Sequence, residues 1–341
     1  MVKQVPMQGL GYGTLSLSIN RRSPEIKSEV ELMKYAYDKG VRVFNGANFY
    51  SMGGLSNFDF FVEFCKAYPE AAKEIVVTYK GNFDFTVMQP VGTKEACELV
   101  VNEVQEALKS LTVKPKVVVV IGRVDPNIPI EETVGYYLPY IESGVIDGYG
   151  ISECGVSTIE KASKVAPISC IEVEFSMTYQ HIIKLGILKA ASDRNVAILA
   201  YSPLSRGLLT DFAAGQDDFL GALPDTDMRK IMGMDRFQRE HFDKNIGFIK
   251  ELYQYAKSKN TTLESLAITY LLELSGLENF EGIDKVSNVI PIPSATKTSR
   301  IDSNLPGKLS KEDLFELQKK LNSFEASGGR YTPQMEGQLN L

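Results

Sequence analysis

Val41-Arg42-Val43-Phe44-Asn45-Gly46-Ala47-Asn48-Phe49-Tyr50 is the stretch that decides how this chain reads. Val41 to Phe44 is an apolar, valine-rich run of the kind that fills a strand covered on both faces. Asn45 closes it with a polar side chain, and Tyr50 follows five residues on. A second run, Ile75-Val76-Val77-Thr78-Tyr79, ends on Lys80. A phenol, an ammonium and an amide at the C-terminal ends of successive strands suggest a proton-donating site. In a parallel β/α barrel the chemistry collects at that face of the sheet. A lone tyrosine near a strand end more often packs in the core or at the rim, so the rest of the chain has to supply the context.

Strand-like and helix-like segments alternate from about residue 28 to the end. Further strands are expected at Ile75–Tyr79, Val117–Ile121, Gly148–Ser152, Ile171–Phe175, Val196–Tyr201 and Val289–Ile292, with one more in Gly9–Thr14. Helical patterns separate them at Thr93–Leu111, Ile130–Ser143, Ser157–Val165, Ile183–Ser192 and Phe248–Ser258. Ser28 with Glu31, and Ser310 with Asp313, have the spacing of helix-start signals. Gly40 stands where a helix end calls for a left-handed residue. No linker or composition break divides the chain, so the expectation is a single α/β domain, a (β/α)8 TIM barrel with a C-terminal helix. Its core would span about 7–323, with 326–341 a polar tail. Residues 204–247 break the repeat after the seventh strand, and a connection that long is commonly a lid or a binding loop.

The chain has 341 residues, 44% of them hydrophobic and 23% charged, as in globular proteins. A net charge of -6 argues against a nucleic-acid or anionic-membrane partner. Cys65, Cys97, Cys154 and Cys170 form no CxxC pair and only two histidines accompany them, so no metal site and no disulfide framework are expected. Met1 to Pro6 lacks the apolar stretch of a signal segment, and the reading is cytoplasmic.

Five segments together resemble the aldo-keto reductases. Val41 to Tyr50 is similar to the strand bearing that superfamily's acid and tyrosine, and Ile75 to Lys80 to its lysine strand. Ser143-Gly-Val-Ile-Asp-Gly-Tyr-Gly-Ile-Ser152 resembles the segment whose serine binds the nicotinamide carboxamide. Ala200-Tyr201-Ser-Pro-Leu-Ser-Arg-Gly-Leu-Leu209 resembles the stretch whose tyrosine stacks on the nicotinamide ring. Ile290-Pro-Ile-Pro-Ser-Ala-Thr-Lys297, through Arg300 to Asn304, resembles the family's NADP clamp. The family usually has aspartate at the Asn45 position and histidine at the Gly122 position. The Asn-Gly before the tyrosine and Arg123-Val-Asp125 without histidine look most like the fungal pyridoxal reductases.

The resemblance implies NADPH-dependent reduction of an aldehyde to an alcohol, with pyridoxal to pyridoxine as the example and a small carbonyl compound as the partner. It assigns Tyr50 as proton donor, with Lys80 and Asn45 beside it. Lys80 would lower the phenol pKa, and without aspartate at Asn45 its field on Tyr50 would be stronger. Cofactor contacts fall on Ser152, Glu172, Tyr201, Ser202, Leu204, Ser294, Thr296, Lys297, Arg300 and Asn304. Glu172 stands at the family's usual glutamine position, and Glu153 at its usual asparagine. Lys297 and Arg300 suit a 2′-phosphate, which favours NADPH over NADH. Tyr12, Phe49, Phe83 and Arg123 are candidate substrate-lining residues, and Arg123 is either a site cation or the ion-pair partner of Asp125. The alternatives are a redox-sensing, NADPH-binding regulatory subunit with little turnover, and a lyase forming a Schiff base on Lys80.

Overall fold

The apolar runs become eight parallel strands in the computed structural model, which describes residues 2–19, 26–51, 54–332, 336–337 and 339. They are β1 (Gly11–Gly13), β2 (Val43–Ala47), β3 (Val76–Gly81), β4 (Lys116–Ile121), β5 (Gly148–Ser152), β6 (Cys170–Glu174), β7 (Ala197–Tyr201) and β8 (Val289–Pro291). Each lies beside its neighbour in sequence order. The Gly13 N–H donates to Pro293 O at 3.1 Å, which brings the two ends of the sheet together as a nearly closed TIM barrel. Short strand-to-helix connections and right-handed crossovers make this the economical closure for such a repeat.

Side chains alternate between the inside of the barrel and the surrounding helices. Val43, Val76, Val118, Val120, Cys170, Ala197, Leu199 and Ile290 form the apolar interior cluster. Two residues further along the same faces stand Asn45, Thr78 and then Lys80, and Glu172. The interior is therefore apolar below and polar at the C-terminal end. Gly150 leaves room for this packing, because a Cβ there would meet the Cys170 sulfur at 2.5 Å.

The strand that opened the reading is shifted by two residues: it begins at Val43, so Asn45 lies within it rather than closing it. Gly46 and Ala47 continue the ladder opposite Tyr79 and Lys80. Gly40 takes φ +99° as expected. The Ser310 hydroxyl accepts from the Asp313 N–H at 3.1 Å. Ser28 does not cap its helix: Lys27–Asp38 starts without a side-chain cap, and Ser28 donates to Glu29 instead. The segment 204–247 is no open loop. It carries short helical turns and then a long helix, Arg239–Ser258, that begins well before Phe248. A further helix, Leu263–Glu273, was not anticipated because it is buried on nearly every side and shows no amphipathic stripe.

The C-terminal segment is not simply a polar tail. Ser327 exchanges two hydrogen bonds with Asn245, at 2.8 and 2.9 Å, and Arg330 is buried at 2% exposure. Residues 333–335, 338 and 340–341 of that tail lie outside the described residues. All four cysteines are buried free thiols. Among the described residues no helix is long and apolar enough to cross a membrane.

Candidate active site

Three charged or polar side chains meet inside the C-terminal end of the barrel. The Lys80 ammonium donates to Asn45 Oδ1 at 2.9 Å and lies 2.8 Å from Glu172 Oε1. Asn45 Nδ2 donates to Glu172 Oε2 at 2.8 Å and to the Thr78 hydroxyl at 3.0 Å. Lys80 and Glu172 side chains are each 4% exposed. Tyr50 follows β2 in a single 3-10 turn, Asn48–Tyr50, and its half-buried ring centroid is 5.0 Å from Lys80 Nζ.

Glu172 corrects the expectation that Lys80 lacks a counter-charge. Its carboxylate oxygens are both engaged within this network, so it faces Lys80 and Asn45. Lys80 is consequently not left without a counter-ion by Asn45: the carboxylate comes from β6, on another part of the barrel wall. Burial lifts the Tyr50 phenol above its ordinary value, with Lys80 pulling it down and Glu172 raising it further. The net direction is opposite to the lowering expected from Lys80 alone. For Lys80, burial disfavours the ammonium, but Glu172 and Tyr50 outweigh it and hold the group above the usual lysine value. An ammonium held in this way is a poor source of the neutral amine that a Schiff base requires.

Gly122 has no room for a side chain: a Cβ there would meet Gly81 O at 2.5 Å. A histidine at this position would require the strand backbone to move. Arg123 does not pair with Asp125, whose carboxylate accepts from Gly92 N and Asn127 N, each at 2.9 Å. Its Nη1 donates instead to Gly122 O at 2.6 Å and to Ser152 Oγ at 3.4 Å. Arg123 is half-buried and Ser152 buried.

Phe49 stands edge-on to Tyr50 at 5.1 Å and near Phe83 at 5.9 Å. Phe85, missed in the sequence, stacks on Phe49 at 5.2 Å and is 54% exposed, extending an aromatic wall. The Phe83-Asp84-Phe85 alternation was the available signal. Tyr12 is not part of that wall. It is buried against Phe44 and its hydroxyl donates to Ala295 O. Period-two alternation explains this: Gly11 and Gly13 occupy the inward positions of β1, and Tyr12 faces the helices.

Glu153 is also engaged internally. Arg330 forks onto both its oxygens at 2.9 and 2.8 Å, and Glu153 Oε1 accepts the Glu174 N–H at 3.0 Å. Glu174 in turn lies 2.9 Å from Arg236 and 3.5 Å from Arg206. Burial would raise the Glu153 carboxyl, yet Arg330 brings it below the ordinary value. Next to Arg330, the Tyr331 hydroxyl meets that of Tyr201 at 2.9 Å, and Arg206 lies 4.4 Å over the Tyr331 ring. Nothing in the sequence signalled Arg330 or Tyr331, because a polar segment far from β7 gives no periodic clue. Tyr201, Ser202 and Leu204 are half-buried at the end of β7.

A nicotinamide dinucleotide, the cofactor class of the family resembled, finds matching chemistry at its adenosine end. Lys297, just before the helix Thr298–Ser303, and Arg300, within it, are both exposed. The one carboxylate of that helix, Asp302, is bonded by Lys39 and Tyr35 instead. Ser294 is exposed and bonded to Ser16 at 2.7 Å, Thr296 is half-buried and Asn304 buried. At the other end, Glu153 and Glu172 are both held in ion pairs, with Arg330 and Lys80.

The model of the Aldo/keto reductase family matches residues 9–322, and the chain belongs to that family. It is an oxidoreductase. Over 340 residues it is 32% identical to Probable pyridoxal reductase 2 of Schizosaccharomyces pombe, covering 97% of both chains. It is 29% identical over 331 residues to Probable aldo-keto reductase 1 of Glycine max, covering 94% of this chain and 88% of that one. Among solved structures, a glycerol dehydrogenase from Gluconobacter oxydans superposes with a TM-score of 0.73 at 20% identity, covering 95% of this chain and 94% of the other. That likeness supports the barrel fold.

Proposed function

We propose that this protein reduces aldehydes to alcohols with NADPH, that pyridoxal is among its substrates, and that Tyr50 is the proton donor. The observation carrying this reading is the half-buried Tyr50 beside a buried, carboxylate-paired Lys80 at the C-terminal end of the barrel. The similarity to a protein named as a pyridoxal reductase supports the choice of substrate. When bound, the cofactor supplies a hydride to the carbonyl carbon.

The chain's own residues do the rest. Tyr50 stays protonated at neutral pH because its burial and Glu172 outweigh the pull of Lys80. It gives its proton to the carbonyl oxygen, and the resulting phenolate is stabilised by the adjacent ammonium. No side chain fits at Gly122, so Arg123 is the candidate second polarising group. Phe49, Phe83 and Phe85 form an apolar flank suited to a flat ring. Ser152 anchors the carboxamide, Tyr201 stacks on the nicotinamide with Ser202 and Leu204 beside it, and Lys297 and Arg300 hold the 2′-phosphate. Ser294, Thr296 and Asn304 complete the adenosine end. The pairing of all these with one soluble small molecule needs neither nucleic acid nor a membrane.

The test is a panel of aldehydes and ketones, including pyridoxal, with NADPH oxidation as the signal. Turnover of pyridoxal above the other carbonyls supports the reading. Tight NADPH binding without turnover of any carbonyl would instead favour a redox-sensing role.

A further inference from the structure

We propose that Glu172 is the carboxylate that positions the Lys80–Tyr50 pair, and that Asn45 and Glu172 form a charge-exchanged couple. The negative charge of the site sits on β6, while β2 supplies a neutral amide. This inference rests on the reading of Tyr50 as proton donor and names what aligns it.

The three groups close a ring. Lys80 donates to Asn45 Oδ1 at 2.9 Å and to Glu172 Oε1 at 2.8 Å, and Asn45 Nδ2 donates to Glu172 Oε2 at 2.8 Å. The chemistry fixes the amide orientation. Turning Asn45 over would aim its NH2 at an ammonium and its carbonyl at a carboxylate. Within the ring every donor meets an acceptor, which is the condition for burying an ion pair at 4% exposure on both sides. No other described carboxylate lies within ion-pair distance of Lys80. A neutral residue at 172 would therefore leave a buried cation without its counter-charge.

The ring also survives exchange of its two ends. Aspartate at 45 would accept from Lys80 and from the NH2 of a glutamine at 172, whose carbonyl would accept from Lys80. Both positions lie on inward faces of their strands, so the charge can reside on either without reversing a side chain. The exchange has a consequence for cofactor binding: Glu172, with both oxygens engaged, is a positioning residue and not an anchor of the carboxamide. The titratable or charged groups facing the Lys80–Tyr50 pair are Glu172 and Cys170 from β6, Arg123 after β4, and Tyr331 from the C-terminal segment.

The test compares wild type, Glu172→Gln, Asn45→Asp and the double variant, with Tyr50→Phe alongside. Each is measured for NADPH binding by fluorescence, thermal melting, and kcat against pH with pyridoxal. Glu172→Gln should lower kcat on the order of tenfold or more. It should also move the basic limb of the profile down by roughly one unit or more, because an unneutralised Lys80 favours phenolate. NADPH affinity should hold. Asn45→Asp should set two carboxylates against each other, lowering kcat and moving the limb up. The double variant should exceed both singles and bring the limb back toward wild type.

Additive losses in the double variant would overturn the exchange, as would a native profile in Glu172→Gln. Weakened NADPH binding in Glu172→Gln with kcat unchanged at saturation would return Glu172 to the cofactor, and also overturns it. If a single variant fails to fold, a double variant that folds and turns over supports the couple, and one that also fails overturns it. Native activity in Tyr50→Phe would sink the underlying reading. Loss there together with a native Glu172→Gln would leave that reading standing and remove this inference alone.

Discussion

The barrel mouth and the segment at 294–304 both carry cations, and they hold them in opposite ways. At the mouth, Lys80 is paired with Glu172 at 2.8 Å and Arg330 with Glu153 at 2.8 Å, all four nearly inaccessible to solvent. At the other region Lys297 and Arg300 are exposed, and the carboxylate on their helix is engaged elsewhere. A buried charge must carry its own compensation, and once compensated it serves to orient its neighbours. An exposed cation with no carboxylate paired to it among the described residues keeps its field and its donors for a ligand. On the proposed reading, the mouth aligns and the 294–304 segment captures.

Tyr50→Phe should show the largest effect. It removes the proposed proton donor and leaves both ion pairs intact, so kcat should fall about 10²–10⁴-fold. NADPH affinity, measured by fluorescence titration, should not change. A loss confined to NADPH affinity would contradict the division between the two regions.

Arg330→Met leaves the buried Glu153 carboxylate without the cation paired to it, only the Glu174 N–H remaining on Oε1. Breaking a buried pair in this way costs about 3–5 kcal/mol, to be read from urea denaturation. Because the same segment carries Tyr331 to Tyr201, the variant should also lose ordering at the mouth. Full stability in Arg330→Met would show that the C-terminal segment docks by other contacts.

Arg300→Ala tests the clamp. Losing a charge-assisted hydrogen bond to a phosphate costs about 1.5–3 kcal/mol, and a solvated phosphate with Lys297 still present puts the effect at the lower end. NADPH affinity should fall roughly tenfold, with NADH hardly affected. Equal weakening of both would place Arg300 in contacts common to the two cofactors.

The smallest expected effect is that of pH on reduction. The Tyr50 phenol is raised above its ordinary value of about 10, so the donor form persists through neutral pH. Reduction should therefore stay level as pH rises through 7 and fall only as Tyr50 ionises. Alcohol oxidation, which needs the phenolate, should climb over the same range. A reduction rate that drops by half near neutral pH would mean that Lys80 dominates the phenol after all.

How much of this was legible differs from residue to residue. Val43 to Phe44 and Val76 to Val77 announced strands buried on both faces, since a covered sheet needs apolar side chains at every position. Tyr50 and Lys80 could be singled out because each lies within a few residues of its strand. Leu263–Glu273 was hidden because burial on nearly all sides erases the helical stripe. Tyr12 was misjudged because a strand-end position does not say which face a side chain takes when the strand has only three residues.

The sequence by itself determined the barrel, the tyrosine and lysine at its C-terminal end, and the exposed cations at Lys297 and Arg300. These depend on local patterns: apolar runs, period-two alternation, and residue types next to strand ends. Only the tertiary structure decided which carboxylate serves Lys80, that Gly122 has no room for a side chain, and that Arg330 and Tyr331 close onto the mouth. Glu172 and Lys80 are far apart in the chain and become partners because barrel closure brings the inward faces of β3 and β6 within hydrogen-bonding distance. A charge on a strand can be read from one sequence, but its counter-charge is chosen by the curvature of the sheet.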